Sequence, residues 1–227
     1  VKKIQSKNKS LLVIAGVFLF LFVVVALLTS GTQGFLIDEN IAYWAEQNNT
    51  PNVQNVMKYA SFIGSSEVIL IVTVLIGLLF LIRRNWRHFF FFFTLSVGGV
   101  ILNLASKMII QRARPGDEVK YIEAFNLHLE IQSYSFPSGH TMRATILLLF
   151  LMYLAFYFLT NNTWKLVSYV VCIVLLLTIA MSRIILEAHF ATDIVGAILF
   201  SIAWFFVCTY FFYRRKSTLW HPTYLHR

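Results

Sequence analysis

Tyr134-Ser135-Phe136-Pro137-Ser138-Gly139-His140 closes a long polar insertion and leads straight into an apolar run over 141–160. A run of about 20 apolar residues has the length of a membrane-spanning helix. Ser138, Gly139 and His140 therefore stand where such a helix begins, at a membrane surface. A helix N-terminus presents unpaired backbone N–H groups and the positive end of its dipole, which suits an anion, phosphate above all. Ser is also a common helix cap, so an ordinary cap with an incidental His140 explains this stretch, taken alone, equally well.

The surroundings are those of an integral membrane protein. Of 227 residues, 58% are hydrophobic and only 13% charged, against about 25% charged in soluble domains. Length and apolarity predict about six spans. They fall near 11–29, 66–82, 88–111, 141–160, 164–183 and 190–212. The polar turn Thr160-Asn161-Asn162-Thr163 makes the fourth and fifth an antiparallel hairpin. The first run is too long for a signal-peptide core, and its exit, Ser30-Gly31-Thr32-Gln33-Gly34, has no clear small-residue cleavage site, so it reads as an uncleaved span. Phe89 to Phe93 opens the third span and reads as lipid-facing. Cys172 and Cys208 lie inside apolar runs and read as small hydrophobes. The expected fold is an all-α six-transmembrane helix bundle, a single domain over 1–227.

Charge orients this bundle. With six spans both termini share one side, which carries Lys2, Lys3, Lys7, Lys9, Arg83, Arg84, Arg87, Lys165, Arg214, Arg215, Lys216 and Arg227. The positive-inside rule makes that side cytoplasmic. It also accounts for much of the net charge of +9 without nucleic acid as a partner. All ten acidic residues, from Asp38 to Asp193, fall on the other side. Seven basic residues join them there: Lys58, Lys107, Arg112, Arg114, Lys120, Arg143 and Arg183. Such charge is disfavoured unless something holds it. Snorkelling to headgroups suffices for Lys58 and Lys120; the other five, near span ends, read as an anion site.

The outer segment over 31–65 has helical spacing in Phe35, Ile37, Ile41, Trp44 and Ala45, and again in Val53, Val56, Met57 and Ala60. It predicts one or two amphipathic helices at the membrane surface, packed on the bundle rather than forming a lid.

Three polar constellations then converge on one face, by parity of the spans. Lys107 to Arg114-Pro115 ends the third span. Pro137-Ser138-Gly139-His140 starts the fourth. Arg183, His189 and Asp193 bridge the fifth and sixth. Lys107 and Arg114 supply fixed positive charge, and an arginine grips two phosphate oxygens at once. Ser138 offers a hydroxyl, and Gly139 lets backbone approach closely. His189 and Asp193, four apart, share a helix face. A carboxylate on one ring nitrogen makes the other more basic, so His189 is a candidate nucleophile. His140, on another helix, is a candidate general acid.

Lys107-Met-Ile-Ile-Gln-Arg-Ala-Arg114-Pro115, Pro137-Ser138-Gly139-His140 and Ser182-Arg183-Ile-Ile-Leu-Glu-Ala-His189-Phe-Ala-Thr-Asp193 together resemble the three signature motifs of the type 2 phosphatidic acid phosphatase superfamily, in order and in every internal spacing. That superfamily also holds the glucose-6-phosphatases and the vanadium haloperoxidases. The resemblance implies a metal-independent phosphatase without a cofactor, working through a phosphohistidine. His189 attacks, Asp193 orients it, and His140 protonates the leaving oxygen. Lys107, Arg114, Ser138, Gly139 and Arg183 hold the phosphoryl oxygens. Arg112 and Arg143 fall outside the motifs and are expected to select the headgroup or support the site.

Within the superfamily the chain is similar to the bacterial membrane-bound phosphatidylglycerophosphatase B type. That implies lipid phosphate substrates in the plasma membrane of a bacterium, phosphatidylglycerophosphate and undecaprenyl pyrophosphate, and no obligate protein partner. A transporter using the same anion site is the alternative. Against it, the polar residues lie at one surface and not at the midplane. A haloperoxidase lacks any separate cue for peroxide chemistry.

Overall fold

A computed structural model describes residues 2–30, 35–115, 122–124, 127–129 and 134–214, with side chains over 9–30, 35–115 and 134–212. Of the charges used above, those of Lys2, Lys3, Lys7, Asp117, Glu118, Lys120, Glu123, Glu130, Arg214, Arg215, Lys216 and Arg227 fall outside the described side chains, as does the exit at 31–34.

The chain forms α1 (Lys2–Thr29), α2 (Leu36–Gln47), α3 (Pro51–Ile63), α4 (Ser66–Ile82), α5 (Trp86–Ile110), α6 (Gly139–Phe158), α7 (Asn162–Ile185) and α8 (Ala191–Arg214). Among the described residues, six stretches are long and apolar enough to cross a membrane: Lys9–Thr29, Pro51–Ile82, Trp86–Ile110, Gly139–Phe158, Asn162–Ile185 and Ala191–Phe212. The all-helical six-span bundle read from hydropathy is therefore the fold. A small ribbon was not foreseen. Strands β1 (Ile122–Ala124) and β2 (Leu127–Leu129) pair antiparallel inside the polar insertion, Ile122 opposite Leu129.

Helix ends follow local chemistry. Thr50 caps α3 by accepting from Val53 N, with Pro51 pre-set for the first turn. Ser65 caps α4 through Val68 N, and Asn161 caps α7 through Thr163 N. Helix α5 stops where Gln111 turns left-handed at φ 49°, sending the chain out toward Arg114 and Pro115.

The core lies among α5, α6 and α8, where Phe91, Phe92, Leu95, Met142, Ala144, Phe150 and Ala197 are buried. Phe89 to Phe93 thus has two roles. Phe90 and Phe93 are exposed, whereas Phe91 and Phe92 fill the core, because adjacent helix positions point about 100° apart. A lipid-facing run was too simple a reading. Cys172 and Cys208 are buried and unpaired with each other. Helix α1 runs along α8, and α2 and α3 pack against α7. The C-terminal ends of α5 and α7 and the N-terminal ends of α6 and α8 meet with α2 and α3 at one end of the bundle.

Candidate active site

At that end the three polar constellations come together. The α7–α8 connection is built first by backbone bonds. Glu187 takes φ 52°, and the amides of Ala188 and His189 both donate to the Arg183 carbonyl, at 3.0 and 3.2 Å. His189 is therefore fixed in a turn. It does not stand on a helix face beside Asp193, as the four-residue spacing suggested. Asp193 sits in the first turn of α8 and its Oδ2 accepts from Phe190 N at 2.9 Å, the returning half of a capping box. The cap brings the pair together instead: His189 Nδ1 lies 3.5 Å from Asp193 Oδ2.

A hydroxyl completes this contact. Ser135 Oγ lies 3.3 Å from His189 Nδ1 and donates a short hydrogen bond to Asp193 Oδ2. One hydroxyl proton given to the carboxylate leaves the oxygen as acceptor for Nδ1–H. This tautomer puts the free lone pair on Nε2. Burial pushes the His189 imidazolium pKa down to about 4. Asp193 pulls it up, and Arg114 and Lys107 push it down further. The ring is thus a neutral base over the physiological range.

The turn before α6 forms the opposite wall. Ser138 is the cap residue: its hydroxyl accepts from Thr141 Oγ1 at 3.1 Å, and its amide donates to the Asp193 carbonyl at 3.1 Å. The first-turn residues Gly139 and His140 are thereby tied to α8. A Cβ on Gly139 would lie 3.2 Å from an Arg143 guanidinium nitrogen and 3.3 Å from Asn103 Oδ1, so only glycine leaves that approach open. His140 makes no hydrogen bond among the described residues and feels the charges of Arg183, Arg143 and Arg114. Phe136 is buried between α1 and α8, stacked on Phe22 at 5.6 Å and seated over Gly196. That ring anchors the whole turn.

The cations surround this space. Lys107 Nζ donates to the carbonyls of Tyr134 and Ser135. Arg114 reaches the Ala188 carbonyl at 3.4 Å. Arg183 is held by Ser61 Oγ on α3, and Arg143 by Ser66 Oγ on α4 at 2.7 Å. The Nε atoms of Arg183 and Arg143 are buried without a hydrogen-bond partner. Such a ring can hold a phosphoryl group, because several fixed donors face charge spread over three oxygens. Lys58 is exposed on α3, in keeping with snorkelling.

Arg112 behaves differently from the others. Its side chain is wholly buried, with NH1 2.7 Å from Asp193 Oδ1 and NH2 2.7 Å from Asp38 Oδ2. Its burial against Asp38 and Asp193 favours support of the site over headgroup selection. Four further side chains escaped the sequence reading: Ser135, Asp38, Thr192 and Asn103. Asn103 Nδ2 donates to the Pro137 carbonyl at 3.2 Å, one turn before Lys107. Asp38 carried a legible signal. It shares the apolar stripe of α2 with Ile41 and Ala45, and a carboxylate on a buried stripe needs a partner. Among the described residues no group of three His, Cys, Asp or Glu is placed to hold a metal.

Fold and motif geometry together define a membrane-embedded phosphatase of the phosphatidic acid phosphatase type, and the PAP2 superfamily model matches residues 88–217, which include all three constellations. The chain belongs to the PAP2 superfamily and is a lipid phosphatase, a phosphoric ester hydrolase. Among individual proteins it is similar to phosphatidylglycerophosphatase B of Bacillus subtilis (strain 168), with 28% identity over 192 residues, 83% of this chain and 88% of the relative. It also superposes on the crystal structure of a transmembrane PAP2-type phosphatidylglycerolphosphate phosphatase from Bacillus subtilis. The TM-score is 0.74 at 25% identity, covering 90% of this chain and 98% of the other.

Proposed function

We propose that the chain removes a phosphate from phosphatidylglycerophosphate, and from undecaprenyl pyrophosphate, at the extracytoplasmic face of a bacterial plasma membrane, through a phosphohistidine on His189. One observation carries this reading: His189 is backed through Nδ1 by Asp193 and Ser135 and feels the cations Lys107 and Arg114, with the second histidine, His140, within reach of its charge. The Bacillus subtilis relative, a phosphatidylglycerophosphatase B, supports the first substrate. The basic side of the six-span layout supports cytoplasmic termini, and with them a site on the opposite face, where a lipid headgroup arrives by lateral diffusion.

In this mechanism Lys107, Arg114, Arg183, the Ser138 hydroxyl and the Gly139 backbone grip the non-reacting phosphoryl oxygens. His189 Nε2 attacks phosphorus in line while the bond to the lipid oxygen breaks, and His140 gives that oxygen its proton. Asp193 stabilises the positive phosphoimidazole. His140, now neutral, takes a proton from water as the water attacks phosphorus. The N–P bond breaks, inorganic phosphate leaves, and His189 returns to its neutral form. No step draws on a metal or cofactor.

The test is phosphate release by detergent-purified protein from phosphatidylglycerophosphate, phosphatidic acid and undecaprenyl pyrophosphate, with EDTA present throughout. The expectation is turnover by wild type and none above background by His189→Ala. Equal release by both would end the proposal. Vanadate and tungstate, which mimic pentacoordinate phosphorus, are expected to inhibit.

A further inference from the structure

Two buried charges at the site end take no part in the reaction as written. Asp38 lies on α2 and Arg112 just beyond α5, and their side chains are 0% exposed. Asp38 Oδ1 accepts from Thr192 N at 2.9 Å, and Asp38 Oδ2 from Thr192 Oγ1 and Arg112 NH2, both at 2.7 Å. Arg112 NH1 donates to Thr192 Oγ1 and to Asp193 Oδ1, both at 2.7 Å. The guanidinium also lies 4.3 Å above the Phe190 ring. We infer that Asp38 and Arg112 are positioning residues: with Asp193 they form a buried three-charge rail that holds the carboxylate against His189 and couples helix α2 to the attacking ring. The inference rests on the reading of His189 as nucleophile.

The charge balance explains why three groups are present. A carboxylate alone beneath His189 would be free to rotate. Arg112 pins it, because Asp193 Oδ1 meets the guanidinium while Oδ2 meets Ser135, Phe190 N and His189. Yet Arg112 alone would cancel the negative charge that the phosphoimidazole needs. Asp38 restores it, so the rail carries a net charge of −1. Taking three charges out of water is costly before their mutual attraction is counted. Apolar side chains would tie α2 to the bundle without that cost. The rail instead sits directly under the one carboxylate that touches His189, where orientation matters most.

The groups acting on His189 are Asp193 on α8, Lys107 near the end of α5, Arg114 just beyond it, and His140 on α6, which in turn feels Arg143 on its own helix and Arg183 on α7. Asp38 on α2 acts through Arg112. Three variants alter only the rail. Asp38→Asn removes a negative charge, so protonation of His189 becomes harder and the acid limb of kcat/KM moves to lower pH. Arg112→Met removes a positive charge and moves that limb to higher pH. The double variant Asp38→Asn/Arg112→Met returns the limb toward its wild-type position.

Each variant is expected to lower kcat about 10- to 100-fold, as when a side chain that orients a reacting imidazole is lost, with KM changed less than about threefold. Activity against pH on phosphatidylglycerophosphate, normalised to folded protein by thermal unfolding in detergent, reads all three. Should Arg112→Met not be recovered folded, Asp38→Asn decides alone. Unchanged kcat and an unmoved acid limb in Asp38→Asn would overturn the inference. So would a kcat loss that follows only the folded fraction. An active His189→Ala protein would instead overturn the mechanism on which the rail depends.

Discussion

His189 works through its neighbours more than through its own chemistry. In a fully buried turn its conjugate acid is held down to about 4, against about 6.5 for an unperturbed histidine. In the proposed mechanism the neutral ring is the attacking species. That form is lost as pH falls through this value, so the acid limb of kcat/KM should appear near 4. Asp193 opposes the depression. Asp193→Asn should thus shift the limb further down and reduce kcat roughly 10²- to 10⁴-fold, the range for a misassembled acid–base partner. Steady-state rates over a pH series check both. Ser135→Ala should cost less, because Nδ1 still faces the carboxylate at 3.5 Å once the bridging hydroxyl is gone. A loss in Ser135→Ala equal to that in Asp193→Asn would assign the orienting role to the hydroxyl.

Among the elements, the turn that leads into α6 depends most on distant packing. Phe136 is clamped between Phe22 of α1 and the backbone of α8 at Gly196, where an added Cβ would lie 2.5 Å from the ring. Gly196→Ala should push Phe136 aside and carry Ser138 and Gly139 with it. An overpacked core site costs about 1–3 kcal/mol. The expected outcome is a lowered unfolding temperature in detergent together with a raised KM for the phosphate ester. A stable protein with normal KM would show that the turn holds itself. The same clamp explains the sequence order: a ring, then proline, then the small cap residue. The ring buries, proline limits the chain, and Ser138 starts the helix with its hydroxyl on Thr141.

For the molecule as a whole, cysteine labelling tests the proposed extracytoplasmic site. Cys172 and Cys208 are buried in the bundle, so an impermeant maleimide meets little native background. Gln47→Cys stands exposed at the site end and Asn162→Cys exposed at the other. In intact cells the first should label and the second only after permeabilisation. The reverse pattern would put the site on the cytoplasmic side. Helices α2 and α3 belong to the same question, since Asp38 and Ser61 bring them into contact with Arg112 and Arg183. Those two contacts tie the outer helices to the site end of the bundle.

Much of this was readable from the residues alone. Span length and apolarity set the six-helix fold, because a bilayer demands about 20 apolar residues for each crossing. Parity then gathered Lys107, Arg114, Ser138, Gly139, His140, Arg183, His189 and Asp193 at one end, since alternate span ends must face the same way. Three things waited for the tertiary structure. The His189–Asp193 contact comes from a capped turn, not from helical periodicity. Phe91 and Phe92 turn inward while Phe90 and Phe93 are exposed. The Asp38–Arg112–Asp193 chain joins residues 74 and 81 positions apart. A pairing at that distance has no local period to announce it. It exists because burial leaves the Arg112 guanidinium to balance both carboxylates.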